Sequence, residues 1–295
     1  MQISQILNKN IKLLEKNGSE NPHLDAELIL SAVLKKPREF LFAHPEHELS
    51  AAQNKKFATL IKKRLKGVPV AYLIGHKSFY GLDFIVNKDT LVPRPETEMM
   101  VDEMSNYECR MSNTETIFID VGTGSGCIII SLAKKLNNTY NKFIAIDISA
   151  KALTVARQNA KIHGVDKQIK LFRGNLLEPI MKSRRLKHAP RIIITANLPY
   201  LTPAQIKSSP SIKHEPKLAL AAGPDGLKYY RELFSQIRKL TSQGSRFKGQ
   251  MSIACEIDPS QTRKIKQLAK NELPTHEIEI KKDLAGYDRL TIIKI

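Results

Sequence analysis

Asp120-Val121-Gly122-Thr123-Gly124-Ser125-Gly126 is the stretch that decides the fold. It links an apolar, strand-like run over residues 116–121 to a helix-length apolar run over residues 127–136. It therefore reads as the turn from a buried strand into a helix. Three glycines at every second position let the chain turn tightly and bring bare backbone against a ligand. The spacing is not G-x-G-x-x-G, and no Lys-Ser or Lys-Thr follows, which argues against a dinucleotide fingerprint and against a P-loop. Asp147 stands 21 residues beyond Gly126, at the expected tip of the next strand, where a carboxylate accepts hydrogen bonds from ribose hydroxyls. Alone, the glycine run can also be read as an ordinary tight turn. With Asp147 it reads as the cradle of a nucleoside-containing cofactor.

Outward from this turn, strands are expected over residues 143–146, 169–172, 191–195 and 251–257. Helices are expected over 150–163, 227–240 and 259–270. Two extended segments, 276–280 and 289–295, finish the chain, and residues 182–188 form a basic, loop-like insert. Alternating strand and helix means a parallel sheet with helices on both faces. Residues 173–179 follow the third strand on the same rim, where Asn175 has the chemistry to read an adenine edge and Leu176 to pack on its face.

Upstream, Ile3, Ile6, Leu7, Ile11 and Leu14 recur at helical spacing. A second helix starts at Asn21-Pro22, is expected to bury Leu24, Leu28, Ala32 and Ile29, and is closed by Pro37. Ser50 and Gln53 form a capping-box pattern ahead of Phe57, Leu60, Ile61 and Leu65. Residues 1–67 thus read as a small helical domain, and residues 68–92 as a β-hairpin connector, extended from Tyr72. Residues 93–295 form the large α/β domain. At its start Arg94 is held between Pro93 and Pro95, ahead of Glu96 and Glu98, as a stiff lead-in that can present a charge to a ligand.

The second informative stretch is Ala196-Asn197-Leu198-Pro199-Tyr200, after the run Ile192-Ile193-Ile194. A strand running out into a Pro-stiffened loop is where open α/β sheets put their chemistry. An Asn carboxamide beside a main-chain carbonyl offers two acceptors suited to a substrate NH2 group, and Tyr200 can cover its flat face. Read alone, these residues are also an ordinary strand-ending turn.

Hydrophobic content of 42% with 26% charged residues is that of a soluble globular chain. No apolar run approaches the ~20 residues that span a bilayer, and the start lacks the pattern of a secretory signal. A cytoplasmic monomer that does not enter membranes is expected. The three cysteines and eight histidines show no ligand spacing, so no metal is expected and Cys109, Cys127 and Cys255 read as reduced thiols. The net charge of +18 suits a polyanionic partner such as RNA or the ribosome. It is equally a Lys-rich composition spread over solvated faces, the densest run being Lys62-Lys63-Arg64 with Lys66.

Asp120 through Gly126, Asp147 and Asn197-Leu198-Pro199-Tyr200 resemble class I S-adenosylmethionine-dependent methyltransferases that carry an Asn-Pro-Pro-Tyr-type signature. The flanks are similar to the release-factor glutamine methyltransferases. These are Leu91-Val92-Pro93-Arg94-Pro95-Glu96-Thr97-Glu98, His214-Glu215-Pro216 with Leu218-Ala219-Leu220, and Gly223-Pro224-Asp225-Gly226-Leu227. Glu256-Ile257 with Gln261, and Asp283-Leu284-Ala285-Gly286-Tyr287-Asp288-Arg289, complete the match. The resemblance implies a Rossmann-like α/β fold with a mixed, mostly parallel sheet and a substrate-recognising helical domain. It implies that Gly122, Thr123, Gly124, Ser125 and Gly126 cradle the methionine end of S-adenosylmethionine, that Asp147 holds the ribose and that Asn175 and Leu176 border the adenine. It further implies that Asn197 and the Leu198 carbonyl bind the glutamine amide of the Gly-Gly-Gln loop of peptide chain release factors, with Pro199 stiffening the loop and Tyr200 stacking on the amide. Leu198 stands where the family usually has its first Pro, which keeps the carbonyl and loosens the loop. Asn175 stands where an Asp is common, and Leu176 where an aromatic is often found. Two other readings are weighed beside this one: an adenine exocyclic-amine methyltransferase on DNA or RNA, and a non-catalytic ribosome-associated binding module.

Overall fold

The computed structural model describes residues 1–295 apart from 110–113, 138–139, 182, 184–185, 187, 243–246, 248 and 275–276. Most of the basic insert at 182–188, His276 and the side chain of Cys109 therefore lie outside the described residues. The chain divides into two compact units, Met1–His76 with Ser209–His214, and Lys77–Ser208 with Glu215–Ile295.

The first unit is helical. In α1 (Ile3–Lys16) the expected stripe Ile3, Ile6, Leu7, Ile11 and Leu14 is buried. Helix α2 (Pro22–Leu34) starts where Asn21-Pro22 predicts, but its buried face is not the expected one. Leu24 is 40% exposed and Leu28 and Ala32 are half-buried, whereas Asp25, Ala26, Glu27, Ile29, Leu30, Val33 and Leu34 are buried. The two acids are buried because each has a cation. Arg64 Nε donates to Asp25 Oδ2 at 2.7 Å, and Arg38 pairs with Glu27. Helix α2 also touches α1, α3 (Arg38–Ala43), α4 (Ala51–Leu65) and α5 (Val70–Ile74), so its covered arc is wide. Pro37 does not close α2, which ends on Lys35 at φ 55°, and instead precedes α3. The capping box of α4 is formed, with Ser50 N 2.8 Å from Gln53 Oε1 and Gln53 N 3.2 Å from Ser50 Oγ. The extended segment expected from Tyr72 starts later, because Val70–Ile74 is the helix α5, stopped by Gly75 at φ 87°.

The second unit opens on a hairpin, β1 (His76–Phe79) and β2 (Leu82–Ile85), whose turn puts Tyr80 and Gly81 at φ 53° and 70°. There follow α6 (Glu98–Cys109), β3 (Thr116–Val121), α7 (Cys127–Leu136), β4 (Lys142–Asp147), α8 (Ala150–Ile162), β5 (Ile169–Arg173) and β6 (Arg191–Ala196). Then come α9 (Pro203–Ser208), α10 (Lys228–Thr241), β7 (Gln250–Glu256), α11 (Thr262–Glu272), β8 (Glu277–Lys282) and β9 (Asp288–Lys294). Among the described residues, seven strands form one sheet in the order β5-β4-β3-β6-β7-β9-β8. The pairs from β5 to β7 are parallel, while β9 runs antiparallel to both β7 and β8. The sheet is thus the mixed, mostly parallel one of a Rossmann-like fold, with helices packed on both faces. The strand order reverses at β3, between β4 and β6, which opens a crevice beyond the carboxyl ends of those three strands.

Candidate active site

The glycine turn occupies that crevice. Gly122, Gly124 and Gly126 have φ of 73°, 55° and 82°, the left-handed region that a side chain disfavours. A side chain would also crowd its neighbours. A Cβ on Gly126 would lie 2.9 Å from Ile130 Cδ1, and one on Gly122 would lie 3.0 Å from Leu198 Cδ2. The tip of β4 closes on the turn, since Gly124 N donates to Asp147 Oδ2 at 2.9 Å and Ser149 N to Asp147 Oδ1 at 2.8 Å. Burial raises the Asp147 pKa, and these backbone N–H groups oppose the rise. Each carboxylate oxygen is fixed by one bond and keeps a lone pair for a ligand.

A cavity of about 330 Å³ lies over the turn. Gly122, Thr123, Gly124, Ser125, Asp147, Asn175, Leu176, Asn197, Leu198 and Pro199 all line it. Gly126 and Tyr200 are not on its wall. Gly126 is where α7 approaches Ala156 of α8, and the Tyr200 hydroxyl donates to Glu256 Oε1 at 3.4 Å. Asn175 Nδ2 donates to Glu232 on α10, which directs the amide end away and leaves Oδ1 as the free acceptor. The cradle of backbone, the doubly fixed Asp147 and an oriented carboxamide fit a nucleoside-bearing ligand.

The signature loop leaves β6 against the glycine turn. Leu198 is buried at 3% exposure, with its side chain against Gly122. Leu198 therefore packs its side chain on the glycine turn. The hydroxyl of the fully buried Tyr230 lies behind the loop, within hydrogen-bond reach of the carbonyls of Ala196 and Glu256.

Behind the loop is a network that sequence reading missed. Asn197 Nδ2 donates to Glu256 Oε2 at 3.0 Å and to Thr97 Oγ1 at 3.2 Å, and Thr97 Oγ1 donates to Glu256 Oε2 at 2.6 Å. Glu256 is 3% exposed, and burial raises its pKa against the pull of Thr97, Arg289 and Tyr200. Thr97 comes from the 3-10 turn Pro95–Thr97, so the stiff lead-in serves this network. Arg94, read as a group offered to a ligand, lines the cavity and pairs with buried Glu215, which also accepts from Val92 N at 3.1 Å. One signal for Glu256 was available, a lone carboxylate ending the apolar strand beside the signature strand.

Residues 112–284 match the family described as methyltransferase domain, and fold and cavity together define that class. The N-terminal domain of human METTL16 in complex with SAH shares the fold, with a TM-score of 0.51 at 14% identity over 90% of this chain and 93% of that one. Residues 5–75 match the PrmC N-terminal domain. The release factor glutamine methyltransferase of Coxiella burnetii is 36% identical over 287 residues, covering 97% of this chain and 96% of that protein. The one from Moorella thermoacetica is 36% identical over 291 residues, covering 98% and 97%. The chain belongs to the release factor glutamine methyltransferase family.

Proposed function

We propose that this chain transfers a methyl group from S-adenosylmethionine to the side-chain amide nitrogen of the glutamine in the Gly-Gly-Gln loop of a peptide chain release factor. One observation carries the reading: the acceptor loop Asn197-Leu198-Pro199 lies directly on the glycine turn, in the same cavity as Asp147. Gly122 to Ser125 would hold the methionine end, Asp147 the ribose, and Asn175 with Leu176 the adenine. The bound cofactor supplies an electrophilic methyl on a sulfonium. Asn197 Oδ1 and the Leu198 carbonyl accept the two N–H groups of the substrate amide and hold its nitrogen toward the cofactor. With the cofactor bound, the substrate nitrogen would take that methyl from the sulfonium, which would leave as the thioether, and would give up one proton to water. An amide nitrogen is a weak nucleophile, so alignment is the main contribution, worth ~7–11 kcal/mol when good, against ~0.5–1.5 kcal/mol for each ordinary hydrogen bond.

The test offers labelled S-adenosylmethionine with a release factor, with the same factor lacking its loop glutamine, and with nucleic acid. Label is expected in the first only. Label in nucleic acid would favour an adenine amine as acceptor, and label in none would favour a binding module. In the same assay Asn197→Ala is expected to lose most transfer while largely sparing the fold, its thermal midpoint lowered by the donor lost to buried Glu256, and near wild-type turnover would sink the mechanism. Asp147→Ala is expected to weaken cofactor binding by calorimetry more than it slows transfer at saturation.

A further inference from the structure

The carboxamide of Asn197 has two chemically different ends, and its surroundings decide which one faces the cavity. Both neighbours of its Nδ2 are acceptors toward it. Thr97 Oγ1 has given its own proton to Glu256, and three donors converge on Glu256: Thr97 Oγ1, Asn197 Nδ2 and the Tyr200 hydroxyl. A carboxylate satisfies three donors, whereas a turned-over Asn197 would set its oxygen against two oxygens. The end of Asn197 that faces substrate is therefore Oδ1. Together with the Leu198 carbonyl it makes a pair that only accepts.

An accepting pair selects what it holds. A primary amide brings two N–H groups on one nitrogen, the atom to be methylated. A glutamate carboxylate brings none and would leave the oxygens unpaired and repelled, the kind of mismatch that discriminates strongly. We propose that Glu256 is the positioning residue that makes this site read an amide rather than an acid, by fixing which end of Asn197 faces the substrate. The inference rests on the glutamine reading above. Without Glu256 the carboxamide is free to turn, offer Nδ2 to a carbonyl or carboxylate oxygen, and seat the substrate with the wrong atom forward.

The experiment measures the affinity of the full chain, saturated with S-adenosylhomocysteine, for a release factor and for the same factor with its loop glutamine changed to glutamate. Wild type is expected to favour glutamine about tenfold or more, the size of a buried hydrogen-bonding mismatch. In Glu256→Gln the new Oε1 can accept from Asn197 and Thr97 while Nε2 faces Tyr200, so the preference is retained. In Glu256→Leu it falls toward unity, and kcat drops more than KM rises, with S-adenosylhomocysteine affinity unchanged as the control for folding. Thr97→Val removes one of the two acceptors at constant shape and is expected to lose about threefold of the preference; it decides the matter should the leucine variant not fold. An undiminished preference in Glu256→Leu or Thr97→Val overturns the proposal, as does equal loss in Glu256→Gln and Glu256→Leu, which would make charge rather than orientation the cause. A wild-type protein that neither binds nor methylates the glutamine factor would instead reject the glutamine reading itself.

Discussion

Single hydrogen bonds set the chemistry of this site at the residue scale. Asn175 and Asn197 are each held through Nδ2 by a carboxylate from elsewhere in the chain, Glu232 and Glu256. Each then offers its oxygen, so an Asn at 175 can serve as an acceptor much as an acid would. Tyr230 works differently, since its hydroxyl ties the Ala196 and Glu256 carbonyls at the ends of β6 and β7. Tyr230→Phe removes the donor those carbonyls share, and is expected to lose ~1–3 kcal/mol of stability by urea unfolding. The same variant should lower kcat at saturating substrates. Unchanged unfolding and kcat would mean the loop does not depend on this brace.

The hairpin, the glycine turn and α8 meet, at the element scale, on one side chain. Asn159, fully buried on α8, accepts from Ile85 N at 2.8 Å and donates to Ile85 O at 3.0 Å and Ser125 O at 2.8 Å. It pins β2 and the glycine turn to the same helix. Asn159→Ala leaves these backbone groups unpaired, and the expected loss is on the order of 3 kcal/mol together with weaker cofactor binding by calorimetry. Loss of stability with cofactor affinity intact would separate the hairpin from the turn. The longer elements were legible in the sequence because their apolar periods run over many residues. Helices α3 and α5 were not, being too short to show a period. The face of α2 was misread because charged Asp25 and Glu27 are buried by arginines that the pattern around them does not reveal. The cavity residues announced themselves by glycine, Asp and Asn at strand ends. Thr97 and Glu256 did not, since they act on Asn197 from 100 and 59 residues away in the chain.

The sheet as a whole gathers acidic groups at the crevice, and this makes stability depend on pH. Asp120 is 1% exposed at the end of β3, accepting from Thr195 at 2.8 Å and Thr123 at 2.5 Å. Burial pushes its pKa up to about 6 against those two bonds, with Asp147 adding to the rise. The folded chain thus holds this proton more tightly than the unfolded chain does. The stability contributed by Asp120 is present at low pH and falls as pH rises from about 4 to about 6, by on the order of 3 kcal/mol. Thermal midpoints across that window should show wild type losing ground to Asp120→Asn as pH rises. A constant difference between the two would mean that Asp120 ionises as it does in the unfolded chain. Sequence reading found the alternation that makes the parallel part of this sheet, but not the place of β9. A strand's neighbours follow from packing across the whole sheet, and β9 lies between β7 and β8 although it follows both in the chain. That insertion has a consequence for assembly during synthesis. Among the described residues strand β8 has no sheet neighbour except β9, and β7, which carries Glu256, lacks its outer partner until residues 288–294 have been made. Strands β3 to β5, which carry the glycine turn and Asp147, are finished by Arg173. A growing chain has therefore made the strands that carry the glycine turn and Asp147 more than a hundred residues before β7 can gain its outer partner, and a ribosome-bound chain stalled between those points would have that half of the sheet without the other.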